Sequence, residues 1–200
     1  MKRIFVINPG CTSTKVAVYE DEKAVWTSDG LHKPEEIERF SGVNDQYEYR
    51  KDFVLNLLKE AGIPLKFDAV IGRGGLLKPL HGGVYAVNEL MKHDLWHAKH
   101  QHVCNLGSLI ADEIAHECHC PAFMADPVVV DEMMTRARYT GLPFMKRESI
   151  FHALNAKAAS RRYARDIGKK YEELNIVVAH LGGGICVSAH NHGKVIDVNN

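Results

Sequence analysis

The chain has 200 residues, 46% of them apolar and 25% charged, which is enough for one well-buried domain with chain left to begin a second. Lysine plus arginine and aspartate plus glutamate number 25 each, so no net field favours nucleic acid or an anionic membrane. The opening apolar run, Ile4 to Ile7, is too short for a signal segment or a membrane span, and five irregularly spaced cysteines argue against a secreted disulfide framework, so a cytoplasmic protein with reduced thiols is expected.

Ile4 to Ile7 and Lys15 to Tyr19 read as strands around the loop Asn8 to Thr14, and a third strand follows near Lys23 to Thr27. Apolar residues at near-helical spacing predict a helix from Asn44 to Ala61, stopped by Gly62 and Pro64. Phe67 to Ile71 is a short buried strand. Val103, Leu106, Ile110 and Ile114 mark a second amphipathic helix that ends near Cys120, and Ala122 to Val130 supplies another strand. A last helix is expected from about Ser149 to Tyr171, with Arg161, Arg162, Arg165, Lys169 and Lys170 on or near its solvent side. Antiparallel strands followed by helices alternating with single strands imply an α/β protein with a mixed sheet flanked by helices.

The first meander has a counterpart. Ile4 to Val18 is echoed by Ile176 to Ser188, again strand, Gly-containing loop, strand, and a third strand follows each at Lys23 to Val25 and Lys194 to Ile196. This suggests a duplicated domain. The expected division is a first domain over 1–148 and, over 149–200, a linking helix and first meander of a second copy left incomplete.

A strand-loop-strand turn rich in Gly, Ser and Thr offers backbone N–H groups and hydroxyls to an anion, and Lys15 can add a point charge. A plain hairpin turn explains the same residues when the loop stands alone. The pairing of two such loops, the second being His180-Leu181-Gly182-Gly183-Gly184, is what suits a polyphosphate. The cluster of His116, Cys118, His119 and Cys120 could hold zinc but lacks a second paired cluster, and a polar helix end is the simpler reading. His93 and His97, four residues apart, are likewise more simply surface histidines.

Asn8-Pro9-Gly10-Cys11-Thr12-Ser13-Thr14-Lys15, Arg73, His81-Gly82-Gly83, the stretch from Asp126 to Met133, Phe151-His152 and His180 to Gly184 occur in the order and rough spacing of butyrate kinases. The whole chain thus resembles the N-terminal part of a butyrate kinase, in the acetokinase family. The resemblance implies an actin-like, ribonuclease H-like fold and ATP-dependent phosphorylation of a short-chain acid, butyrate to butyryl phosphate, with ATP/ADP and Mg2+. Asn8, Gly10, Ser13 and Lys15 would line the phosphate site, with Asn8 near magnesium. His180 and the loop Gly182, Gly183, Gly184 would meet the nucleotide's phosphates.

In the same resemblance Arg73 binds the carboxylate and stabilises the transferring phosphoryl group. His152 donates to the phosphoryl oxygens, and Asp126 acts through magnesium or by positioning Arg73. His81 and Gly82 shape the acyl pocket, although a simple turn explains them too. Cys11 departs from the family's usual serine, exchanging a hydroxyl for a weak thiol donor. The family's remaining active-site parts lie beyond Asn200, so the chain alone is expected to be inactive, and a homodimer or higher homo-oligomer is expected of the longer protein. Acetate, propionate or branched-chain acid kinase, and a non-catalytic actin-type ATP-binding module, remain alternatives. One methylene of acid length is worth only about 1–3 kcal/mol of discrimination.

Overall fold

The computed structural model describes residues 1–182 and 184–199. Its elements, in chain order, are β1 (Arg3–Pro9), β2 (Ser13–Glu20), β3 (Lys23–Leu31), α1 (Pro34–Ile37), α2 (Tyr47–Glu60), β4 (Ala69–Gly72), β5 (Val84–Ala86), α3 (Glu89–Trp96), α4 (Cys104–Glu117), β6 (Ala122–Ala125), α5 (Ala153–Asp166), β7 (Asn175–Leu181), β8 (Ile185–Asn191) and β9 (Lys194–Asn199). The chain forms two compact units, residues 1–77 with 84–125 and residues 78–83 with 126–200. The boundary drawn at 148/149 from the sequence lies inside the second of these.

In the first unit a six-stranded mixed sheet runs β3-β2-β1-β4-β6-β5. β1 pairs antiparallel with β2 and parallel with β4, and β4 pairs parallel with β6. Alternation along β1 and β2 turns Phe5, Ile7, Val16 and Val18 to one face, where they join Val54 and Leu58 of α2 and Leu106, Ile110 and Ile114 of α4 in one core. Each such side chain contributes about 1.5–3 kcal/mol by leaving water. The seat of α4 depends on two glycines. A Cβ on Gly72 would lie 2.3 Å from the Gly107 carbonyl oxygen, and one on Gly107 would lie 2.4 Å from that of Arg73. Only bare backbone lets the helix come this close to the end of β4.

The second unit holds the three-stranded antiparallel sheet β7-β8-β9, with α5 beside it and a core of Val130, Met133, Phe151, Ala153, Ala156, Cys186, Val195 and Val198. Its meander repeats the first in detail. Each middle strand has a register shift two residues before its end, at Val18/Tyr19 and Ala189/His190. Each following turn has a non-glycine residue at positive φ, Asp21 at 50° and His192 at 47°.

Several boundaries differ from the sequence-based expectation. The strand expected over 122–130 ends at Ala125 because Asp126 takes φ 36° and Pro127 follows, breaking the extended run. The helix expected over 149–171 spans only Ala153–Asp166; Gly168, at φ 68°, closes it and Tyr171–Glu173 is a separate 3-10 turn. β5 and α3 were not anticipated. α3 starts at the N-cap Asn88, whose Oδ1 accepts from the Met91 amide at 2.9 Å.

Candidate functional site

Each unit carries its own part of the predicted site. In the first, Asn8 and Arg73 sit at the carboxyl ends of the neighbouring parallel strands β1 and β4, the end at which open α/β sheets bind ligands. The Arg73 amide donates to the Ile7 carbonyl at 2.8 Å, which fixes where its side chain starts, and Arg73 Nη1 reaches Asn8 Oδ1 at 3.5 Å. The β1–β2 loop is closed by the Gly10 amide donating to the Ser13 carbonyl at 2.7 Å. Lys15 lies across from Asp29 in the β2–β3 pair, and their charged groups meet at 2.7 Å. That contact holds the Asp29 carboxyl below its usual range, and the Ser13 hydroxyl adds to the effect. Asn8, Lys15 and Asp29 line one open hollow of about 360 Å³ with Thr27 and Ser28.

Arg50 was missing from the sequence reading. Wholly buried on α2, it donates to the Gly10 carbonyl at 3.0 Å, to Thr14 Oγ1 at 3.1 Å and to Gln46 Oε1 at 2.9 Å, so it braces the β1–β2 loop. Burial pushes its pKa down. A signal existed: Arg50 falls on the buried stripe with Val54 and Leu58, where a cation needs a polar partner. Cys11, the departure from the family pattern, is exposed, and its Sγ lies 3.9 Å from His102 Nε2. Burial and then the Arg73 charge lower the pKa of His102.

In the second unit His152, at the start of α5, and His180, at the end of β7, stack with ring centroids 4.0 Å apart and planes 13° from parallel. His152 Nδ1 is 3.3 Å from Cys186 Sγ, and His180 Nδ1 is 3.1 Å from Asn155 Oδ1. Gly182 and Gly184 flank the β7–β8 turn, both exposed; Gly183 lies outside the described residues. A Cβ on Gly184 would stand 2.9 Å from His152 Cε1, so this loop and the histidine share one space.

Asp126 is 4% exposed and held at positive φ by a reciprocal pair of bonds: its amide donates to the Gly83 carbonyl, and its Oδ1 accepts from the Gly83 amide, both at 2.8 Å. Its Oδ2 accepts from Arg161 Nη1 at 3.0 Å. Arg161, expected on or near the solvent side of its helix, is exposed there and reaches this buried carboxylate. His81 is exposed, and its charge helps to hold the Asp131 carboxyl low, after the stronger bond from Arg138.

At the end of α4, His116 occupies the last turn, Cys118 is the C-cap and His119 has φ 52°. Among the described residues no group of three or more His, Cys, Asp or Glu side chains is placed to hold a metal. The five cysteines are free thiols. No helix among the described residues is long and apolar enough to cross a membrane.

No family model matches the chain. It is 66% identical over 198 residues to a probable butyrate kinase of Phocaeicola vulgatus, covering 99% of this chain and 56% of that protein. It is 51% identical over 202 residues to butyrate kinase 1 of Clostridium acetobutylicum, covering 100% of this chain and 57% of that one. The chain therefore spans about half the length of the curated relatives it matches. Among solved structures, Porphyromonas gingivalis acetate kinase aligns with TM-score 0.71 at 16% identity, over 99% of this chain and 57% of that one. A Francisella tularensis propionate kinase aligns with TM-score 0.63 at 19% identity, over 99% and 57%. At this identity the likeness carries the fold, a mixed sheet flanked by helices.

Proposed function

We propose, for a chain that is similar to butyrate kinases over 99% of its own length, that it contributes to ATP-dependent phosphorylation of a short-chain carboxylate, giving the acyl phosphate and ADP. The observation that carries this reading is the meeting of Asn8 and Arg73 beside the β1–β2 loop, at the carboxyl ends of β1 and β4. A guanidinium there can grip a carboxylate through two N–H groups and later offset charge on a phosphoryl group in transfer.

The chemistry needs no covalent intermediate on the protein: a carboxylate oxygen forms the new P–O bond as the bond to the leaving ADP oxygen breaks. The protein's task is positioning and charge neutralisation. Arg73 holds the acid and His152 donates to the phosphoryl oxygens. Asp126 acts as a positioning group through the Gly83 amide that it binds. The amides of the β1–β2 and β7–β8 loops receive phosphate oxygens, with Ser13, Lys15 and His180 beside them. His81 and Gly82 border the acyl group.

The hard oxygen donors around the first loop, Asn8 Oδ1 and the Ser13 hydroxyl, suit magnesium, which favours oxygen ligands. These two residues would hold it. When bound, magnesium supplies neutralising charge to the phosphate oxygens. A cytoplasmic location and assembly into a homo-oligomer are parts of the same reading.

The test is an acyl-hydroxamate assay with ATP, magnesium and acetate, propionate, butyrate or isobutyrate, run on the 200-residue chain and on the full-length gene product. Butyrate-preferring activity in the longer protein is the expected result. Nucleotide binding without hydroxamate from any acid would favour a non-catalytic ATP-binding module, and acetate or isobutyrate preference would reassign the acid. Arg73→Ala should retain nucleotide binding and lose acyl phosphate formation.

A further inference from the structure

Beneath the His81–Gly83 loop lies a group of charges that the reaction chemistry does not require. Glu132 and Lys157 are 7% and 3% exposed at their side chains and meet at 2.9 Å. Glu132 Oε1 accepts from Lys157 Nζ and also from the Gly82 amide at 3.0 Å, while Oε2 accepts from the Val195 amide at 2.7 Å. One carboxylate therefore ties the loop, α5 and β9 together. Burial works to raise the Glu132 pKa, but Lys157 and the two amides hold it below the ordinary value.

The next amide along the loop is held in the same way. Gly83 donates to Asp126, which is clamped by Arg161. Lys157 and Arg161 are four residues apart on α5, one helical turn, so two basic side chains on one face of the helix each secure a carboxylate that secures one of two consecutive amides. Gly82 has no room for a side chain, since a Cβ there would lie 2.1 Å from Lys157 Nζ and 2.8 Å from Glu132 Oε1. A buried ion pair is a poor way to gain stability, because removing two charges from water offsets most of their attraction, and apolar residues of like volume do as well. What this pair supplies that apolar residues cannot is an acceptor of fixed position for the Gly82 amide.

We propose that Glu132 and Lys157 are positioning residues for the carboxylic-acid subsite, setting the His81–Gly83 loop by holding Gly82 N–H. This deepens the acid kinase reading and rests on it. The first measurement is amide hydrogen exchange on the full 200-residue chain. Glu132→Gln and Lys157→Met should speed exchange at Gly82 by about tenfold or more relative to Gly83, and Lys157→Arg should restore most of the protection. The double variant Glu132→Leu/Lys157→Met removes both charges at similar volume, so it should fold while still losing protection at Gly82. Unchanged protection at Gly82 in the double variant would overturn the proposal.

The second measurement is steady-state hydroxamate formation by the full-length protein carrying the double variant. The KM for butyrate should rise about tenfold while the KM for ATP stays within about twofold. A parallel rise in both, or in neither, overturns the positioning role. If the unmodified full-length protein makes no hydroxamate from any acid, the kinase reading fails and the subsite assignment with it. Gly82 exchange in this chain would still report separately whether the two residues hold the loop.

Discussion

Phe5, Ile7, Val16 and Val18 of the first meander lie under α2 and α4, none more than 3% exposed. Val177, Ala179, Val187 and Ala189 hold the same register positions in the second meander, yet Val177 is 71% exposed and Val187 38%. The face of the second meander that is covered is the other one, where Cys186, Ser188 and His190 pack toward α5. Its counterpart in the first meander, with Asn8, Lys15, Ala17 and Tyr19, lines the open hollow of the candidate phosphate site. The same strand-turn-strand design is thus buried on opposite faces. Strand alternation sorts side chains into two faces, and the helix that arrives decides which face becomes core.

The sharpest way to break this comparison is to truncate equivalent positions. Phe5→Ala should cost about 3–5 kcal/mol, the price of a cavity in a packed core, whereas Val177→Ala should stay within about 1 kcal/mol. Denaturant unfolding of both variants would check the contrast, and equal losses would show that the Val177 face is covered in solution. Next in size, Arg50→Ala leaves the Gly10 carbonyl and the Thr14 hydroxyl without their buried donor, an expected loss of about 2–4 kcal/mol together with faster exchange in the β1–β2 loop.

The two meanders share a pH dependence that sharpens the parallel. His32, bonded to Thr14, and His190, bonded to Ser188, are both held to a pKa of about 4 from 6.5, first by burial and then by Arg50 and Lys157 respectively. Their folded-state values lie below the unfolded one, so the unfolded chain takes up protons first. The stabilising effect is complete above pH about 6.5 and is lost as pH falls toward 4, up to about 3 kcal/mol for each histidine. His32→Asn should flatten the pH slope of exchange in the first unit only, and His190→Gln that in the second only. Smallest of all, Asp29→Asn should leave thermal stability unchanged, because its pair with Lys15 is exposed. If the acid kinase reading holds, it should alter nucleotide affinity by freeing Lys15, as measured by titration calorimetry.

Much of the frame was legible because it is local. The two Gly-containing hairpins follow from alternation and turn residues, and α2 and α4 from apolar spacing ended by Gly62 and by the Cys120-Pro121 step. β5 was not legible: it is three residues long and exists because Val84, Tyr85 and Ala86 pair with β6, a partner nearly forty residues away. α5 ended earlier than its basic run suggested because Gly168 adopts a left-handed φ, which a sequence permits but does not require.

Within the candidate site, polar residues that stay at least partly exposed in or beside loops and element ends could be named in advance, as Asn8, Ser13, Lys15, Arg73, His152 and His180 were. Those that support them could not. Arg50 and Glu132 act through hydrogen bonds to a backbone carbonyl and a backbone amide, and Lys157 and the partner of Asp126 through the carboxylates they hold, whose positions arise only when separate segments meet. By itself the sequence determined the two meanders, their turns and the glycine-bearing loops, because each depends on a few adjacent residues. Only the tertiary structure decided which face of each meander is covered and which buried charges hold the loops, because burial is a property of what packs against a residue from far along the chain.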